Sequence, residues 1–195
     1  MPVNIYRRKL LNATLFFAKN TKRVNLTKLS KLLYHLDFIH FKQMGYPCIG
    51  LEYYAFDRGP VPRDFWAEIK DGNVPEDFEG KLALIPKPDA LPPYDREIEV
   101  HAIERPDLSI FTPREIKILE DLAFIYKEAN AQDISEVTHL PKQPWDITRK
   151  TKGKNKPIDY LLSIDEKSEI SLDYAIDSLK EHFEVVHNLG IEPTK

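Results

Sequence analysis

The stretch from Lys31 to Ile69 leaves this chain the fewest ways to fold. Just before and within it, Leu26, Leu29, Leu32, Leu33, Leu36 and Ile39 recur at helical spacing. That pattern predicts an amphipathic helix over 26–44, capped by Asn25 or Thr27. Gly45, Tyr46 and Pro47 end it, because Gly takes the left-handed backbone of a helix stop and Pro cannot continue the hydrogen-bond ladder. A strand-like run, Ile49 to Phe56, follows at once, then the turn Arg58-Gly59-Pro60-Val61-Pro62. Pro62 suits the first turn of a short helix, Arg63 to Ile69. Helix, strand, stiff turn and helix with almost no linker between them must fold back on one another.

The rest of the chain supplies more helices and few strands. Ile5, Leu10, Leu11, Leu15, Phe16 and Ala18 predict a helix over 4–19. Leu82 to Ile85 and Glu97 to Ile103 read as strands, the second alternating Ile98, Val100 and Ala102 with Glu99 and His101. Pro86, Pro88, Pro92 and Pro93 make their connector a loop. Thr112-Pro113-Arg114-Glu115 combines a cap, a proline at the first helical position and a capping-box Glu, so a helix should run from there to about Ala129. Asp133 or Ser135 should open a short helix toward His139, Lys150 to Lys156 reads as a flexible basic loop, and Ser171 to Leu189 as a final helix. The expected fold is α+β and mostly helical: a single globular domain over residues 1–195 with a small antiparallel sheet, the C-terminal helix 171–189 packed on the remainder.

Composition removes several classes of function. Cys48 is the only cysteine, so the chain has neither an internal disulfide nor a four-cysteine zinc site. No apolar run reaches the eighteen or so residues that span a bilayer, and no signal-peptide pattern opens the chain. A cytoplasmic location without membrane association is the expectation. The net charge of −3 is unevenly spread: the first 36 residues hold eight Lys or Arg and no acid. Such a segment needs counter-charge, which makes Arg7, Arg8 and Lys9 candidates for a partner-facing surface. A second basic stretch, Lys142 to Lys156, has no aromatic interleaved with its 149–156 cations, so base stacking there is unsupported. Nucleic acid is therefore a weaker partner than protein.

Catalytic signatures are sparse. Asp37 and His40 lie three apart on the central helix and share a side, and His139 is a candidate third ligand. Metal-assisted hydrolysis through these three is one reading; a carboxylate and a histidine satisfied by neighbouring groups is the other. Cys48 has no basic cluster or helix start beside it to make a thiolate. GxSxG, P-loop and GxGxxG patterns are absent. The reading is a non-enzyme with no cofactor and no resident metal. The turn residues Arg58, Gly59 and Pro60, with Arg63, Trp66 and Trp145, suggest a shaped binding surface; the opposing reading buries both tryptophans.

An ordered set of short motifs adds a resemblance. Lys31-Leu32-Leu33-Tyr34, His40, Gly45-Tyr46-Pro47, Tyr53 to Phe56, Gly59-Pro60-Val61, Ser135-Glu136-Val137-Thr138-His139 and Pro144-Trp145 occur in the order seen in Panacea domains. Over about residues 25–148 the chain resembles the SocA-like antitoxins of bacteria and their phages. It departs from the pattern at His35 and Asp37 and in the Pro-rich stretch 86–93. The resemblance implies a non-enzymatic antitoxin, monomer or homo-oligomer, that neutralises a cognate toxin by direct protein–protein binding. The SocA branch delivers its toxin to a bacterial protease, so a proteolytic-adaptor role is implied as a variant. The resemblance also implies that Tyr34, His40, His139 and Trp145 form one buried hydrogen-bonded cluster. The alternative is a nucleic-acid-associated or phage regulatory protein.

Overall fold

The computed structural model describes residues 4–87, 97–188 and 190. Pro88, Pro92 and Pro93 of the expected Pro-rich connector lie outside them. Seven α-helices are present among the described residues: α1 (Ile5–Asn20), α2 (Leu26–Met44), α3 (Arg63–Ile69), α4 (Pro113–Ile125), α5 (Ala131–Thr138), α6 (Pro144–Thr151) and α7 (Leu172–Asn188). Four short strands, β1 (Tyr53–Phe56), β2 (Gly59–Pro62), β3 (Leu82–Pro86) and β4 (Ile98–Ala102), form two separate antiparallel pairs, β1–β2 and β3–β4. The fold is thus α+β and mostly helical, with the expected small sheet split in two.

The helix starts follow from local chemistry. Asn4 and Asn25 cap α1 and α2 by accepting from backbone N–H groups one turn in, so Asn25 rather than Thr27 opens α2. Thr112 and Glu115 close a reciprocal capping box on α4. Asn130 and Asp133 do the same on α5, so Asn130 is the cap there, not Asp133 or Ser135. Gly45 ends α2 in the left-handed conformation (φ 80°), where a side chain would be strained.

At the centre lies α2, in contact with α1, α4, α5, α7, β2 and β4. Leu29, Leu32, Leu33, Leu36 and Phe41 are essentially inaccessible. So are Lys28, Lys31 and Asp37, on faces where the apolar stripe predicts solvent. A helix surrounded on every side must take its polar residues inside with it, and each then needs a partner. Lys28 shows the pattern: its ammonium donates to the Lys22 and Ala129 carbonyls, both at 2.7 Å.

Three expectations change for identifiable reasons. The strand expected over Ile49–Phe56 shortens to β1, because the N–H groups of Ile49, Gly50 and Leu51 bond the Asp37 carboxylate instead of a neighbouring strand. The turn expected over 58–62 narrows to Asp57-Arg58, while Gly59–Pro62 pairs with β1 in the register Phe56↔Gly59 to Tyr53↔Pro62. Its prolines are tolerated because β2 lies at the sheet edge. The expected basic loop is instead the end of α6 followed by chain that covers the other edge of β1, with Ala55 N–H donating to the Lys156 carbonyl and Ile158 N–H to the Tyr53 carbonyl. The strand alternation holds in β4, where Ile98 and Val100 are buried and His101 is exposed. No described helix is long and apolar enough to cross a membrane.

Candidate functional site

The motif residues gather around the flank of α2 that faces the β1–β2 hairpin, α5 and α6. Asp37 is the hub. Its Oδ1 accepts from Ile49 N (2.6 Å) and Gly50 N (3.2 Å), and its Oδ2 from Leu51 N (3.3 Å), Tyr53 Oη (3.0 Å) and Tyr160 Oη (3.2 Å). Burial pushes the carboxyl up against the pull of these donors. Both tyrosine hydroxyls are raised well above their usual range, first by burial and then by the neighbouring carboxylate. The hub ties the chain leaving α2 to the hairpin and to the Tyr160–Ser163 turn. A carboxylate so fully occupied has no lone pair left for a metal or a substrate proton.

Nearly two turns before the hub, Lys31 donates from Nζ to the Pro60 carbonyl at 2.8 Å. No carboxylate offsets it, and burial lowers its pKa from 10.5 to about 7. Around it stand two imidazoles. His35 stacks on Tyr126 with ring centroids 5.6 Å apart, and His139 stacks on Trp145 at 4.1 Å. Burial and then the Lys31 charge lower both, His35 to about 4. Their Nε2 atoms are buried without a protein partner. The Trp145 indole N–H donates to the Phe56 carbonyl at 2.9 Å, clamping α6 onto the hairpin, and the Tyr34 hydroxyl lies against the Trp145 backbone. At the outer edge Asp57 bridges Arg149 (3.0 Å) and Lys154 (2.9 Å).

Gly59 is the seat for Lys31. Its φ of +103° suits glycine alone, and a Cβ there would meet Lys31 Cε at 2.7 Å and both Lys31 Nζ and Thr138 Oγ1 at 3.0 Å. Gly59→Ala is expected to destabilise the protein by about 2–3 kcal/mol through backbone strain plus overpacking. The check is urea unfolding, with a lower midpoint at unchanged slope. An unchanged midpoint would mean that Lys31 yields freely.

His40 belongs to a different network, so the single cluster of Tyr34, His40, His139 and Trp145 is corrected to two. His40 Nδ1 bonds the Tyr46 carbonyl at 2.8 Å, and its Nε2 sits 3.7 Å from Glu115. Glu115 also takes Lys9 Nζ at 2.7 Å and the Thr112 N–H at 2.8 Å. Burial raises the Glu115 carboxyl, yet the Lys9 bond and charge, the Thr112 N–H and the neighbouring His40 together outweigh it and hold the group below its usual range. Asp37, His40 and His139 do not converge, and no three His, Cys, Asp or Glu among the described residues could hold a metal ion.

The basic N-terminal residues find acidic partners within the chain. Arg7 bonds Glu68 and Asp77 (both closest at 2.7 Å) and lies over the Phe78 ring, Arg8 reaches Asp107 at 3.4 Å, and Lys9 is paired with Glu115. The counter-charge assigned to a partner comes from distant parts of this chain. In the second basic stretch, Asp57 pairs with Arg149 and Lys154, and Asp146 with Lys150. Trp66 is 37 % exposed beneath Lys70, and Arg63 lies over Tyr54 at 4.1 Å while pairing with Asp64. Arg58 is exposed at the hairpin tip. Trp66 and Arg63 are therefore on the surface, whereas Gly59, Pro60 and Asp37 are inside.

Sequence reasoning missed His35, Tyr53, Tyr160, Glu115 and Arg149 as members of these networks. Lys31 and His35 did carry a signal: they lie four apart on the helix on either side of Tyr34, so both fall on one face. Tyr160 and Glu115 carried none, since only tertiary packing brings them to Asp37 and His40.

The fold and these networks define a helical α+β protein in which polar motif residues on α2, α5 and α6 buttress the β1–β2 hairpin. Residues 29–146 match the family model for the SocA-like antitoxin, Panacea domain. The chain belongs to that family. No curated protein and no solved structure matches it.

Proposed function

We propose that this protein is a non-catalytic antitoxin that silences a cognate toxin by binding it directly. The observation that carries the reading is the family match over 29–146, whose motif residues here are engaged in holding the scaffold together. Three features support the absence of a catalytic step. Asp37 is saturated by donors, the Cys48 thiol is buried and pushed well above its usual range, and the buried Lys31 ammonium is spent on the Pro60 carbonyl. A paired and buttressed surface suits a protein that must present one rigid shape to a partner, because preorganisation reduces the entropy lost on binding.

The test is co-expression with each neighbouring gene in turn. One neighbour should be toxic alone, growth should return with this chain, and the two should co-purify. Growth arrest that persists with every toxic neighbour would overturn the reading. Repeating the rescue in a host lacking its ATP-dependent proteases separates simple binding, which survives, from delivery to a protease, which fails.

A further inference from the structure

The C-terminal helix α7 lies outside the 29–146 match and is held by few buried groups. Only Ala175 and Val186 are buried. Ser178 Oγ donates to the Met44 carbonyl at 3.0 Å across Gly45, whose added Cβ would stand 2.7 Å from Ser178 Cβ. His182 stacks on Tyr46 with centroids 4.6 Å apart and shares a 2.6 Å hydrogen bond with Tyr6. That anchoring face is narrow and largely polar.

The flank of α7 beside the Tyr160–Ser163 turn is apolar and open. Leu172 is 49 % exposed, Ile176 45 % and Phe183 50 %. With Leu179 these residues step along the helix by four, three and four, the spacing of a coiled-coil seam. Ile176, Leu179 and Phe183 line a groove of about 480 Å³ whose far wall is Leu161, with Lys180 and Glu184 at its rim. From Ile176 to His187 the lining runs about 16 Å along the axis at 1.5 Å per residue, room for roughly three turns of a second helix. A seam with this period accepts side chains of a helix at i, i+3 or i+4 and i+7.

Charge decides what kind of helix. Between residues 165 and 184 stand Asp165, Glu166, Glu169, Asp173, Asp177, Glu181 and Glu184 against Lys167 and Lys180. Asp165 and Glu169 are paired with Lys42 and Arg114. The four acids of α7, Asp173, Asp177, Glu181 and Glu184, have no ion pair among the described residues. Two copies meeting through α7 would bring like charges together, which disfavours self-association.

We propose that the groove between α7 and the Tyr160–Ser163 turn docks a basic amphipathic helix of the partner, with Ile176, Leu179 and Phe183 as the apolar floor and the α7 acids as the charge match. This rests on the antitoxin reading only in naming the toxin as the source of that helix.

Two arms test it separately. In the first, an 18-residue Leu/Lys amphipathic helical peptide is titrated by fluorescence anisotropy into the full-length protein and into Ile176→Asp/Phe183→Asp, with circular dichroism showing that the variant remains folded. The wild type should bind, the variant at least tenfold more weakly, and binding should weaken as salt rises. A Leu/Glu peptide of the same design should not bind. Equal affinity of wild type and variant, or of the two peptides, overturns the proposal. So does sedimentation showing a wild-type dimer that the variant abolishes, since the groove would then be a self-association surface. In the second arm, the folded variant should lose rescue against the toxin found by co-expression. Retained rescue removes the groove as the toxin site, whereas failure to find any toxin bears on the antitoxin reading alone and leaves the peptide arm to decide.

Discussion

Asp37→Ala will lower the unfolding free energy by about 4 kcal/mol or more, the largest loss expected from any single substitution outside the apolar core. The carboxylate accepts from three consecutive backbone N–H groups and two tyrosine hydroxyls. A hydrogen bond to a charged group contributes about 1.5–3 kcal/mol, and a buried donor left without an acceptor carries its own penalty of about 1–3 kcal/mol. The five bonds are coupled, so the loss is less than their sum. Tyr160 keeps an alternative, since its hydroxyl also reaches the Leu51 carbonyl at 2.6 Å. The Ile49–Leu51 segment, whose three N–H groups converge on the carboxylate, must loosen or admit water. At this chain length the loss corresponds to roughly 8–16 °C in Tm. Asp37→Asn retains one acceptor oxygen and the shape, but turns an N–H₂ toward donors, so it should recover only part of the loss. Urea unfolding of the three proteins checks this. Wild-type stability in Asp37→Ala would show that the hub is incidental to the fold.

Stability should also rise with pH above neutrality, and Lys31 is the reason. Burial lowers its pKa to about 7 in the folded protein, against 10.5 in the unfolded chain. Below pH 7 the lysine is protonated in both states, so its contribution does not change with pH. Between about 7 and 10.5 the unfolded chain binds the extra proton, unfolding takes one up, and unfolding therefore becomes harder as protons become scarce. The gain from this group is about 1.5 kcal/mol between pH 7 and 8.5. The imidazoles facing it, His35 and His139, are held below their usual range and stay neutral across this window. Tyr6, pushed to about 12, and the buried Cys48 act in the opposite direction at higher pH, because the folded state retains their protons longer. Comparison with Lys31→Met isolates the lysine: the wild type should gain about 1.5 kcal/mol relative to the variant over that range. Parallel pH profiles for the two proteins would place the Lys31 proton elsewhere.

Both predictions concern polar residues inside an apolar helix, which is where sequence reasoning was weakest. The periodicity of Leu26 to Ile39, the Thr112 capping box, the Gly45 stop and the alternation in β4 each depend on residues within a turn or two of one another. Local spacing therefore suffices to read them, and α1, α2, α3, α4, α7, β3 and β4 are legible from it. The ordered motifs were enough to indicate the family. By contrast, β2 and the short β1 depend on the competition between Asp37 and a strand partner for the same N–H groups. The basic N-terminus has the same limit: its composition shows eight cations in need of counter-charge but not where Glu68, Asp77, Asp107 and Glu115 lie. The sequence by itself determined the helical majority, the Gly45 helix stop and the antitoxin family. Only the tertiary structure decided that His40 and His139 belong to separate networks, that Lys31 is buried without a counter-ion and that α7 turns an apolar seam outward, because those outcomes depend on contacts between residues tens to more than a hundred positions apart.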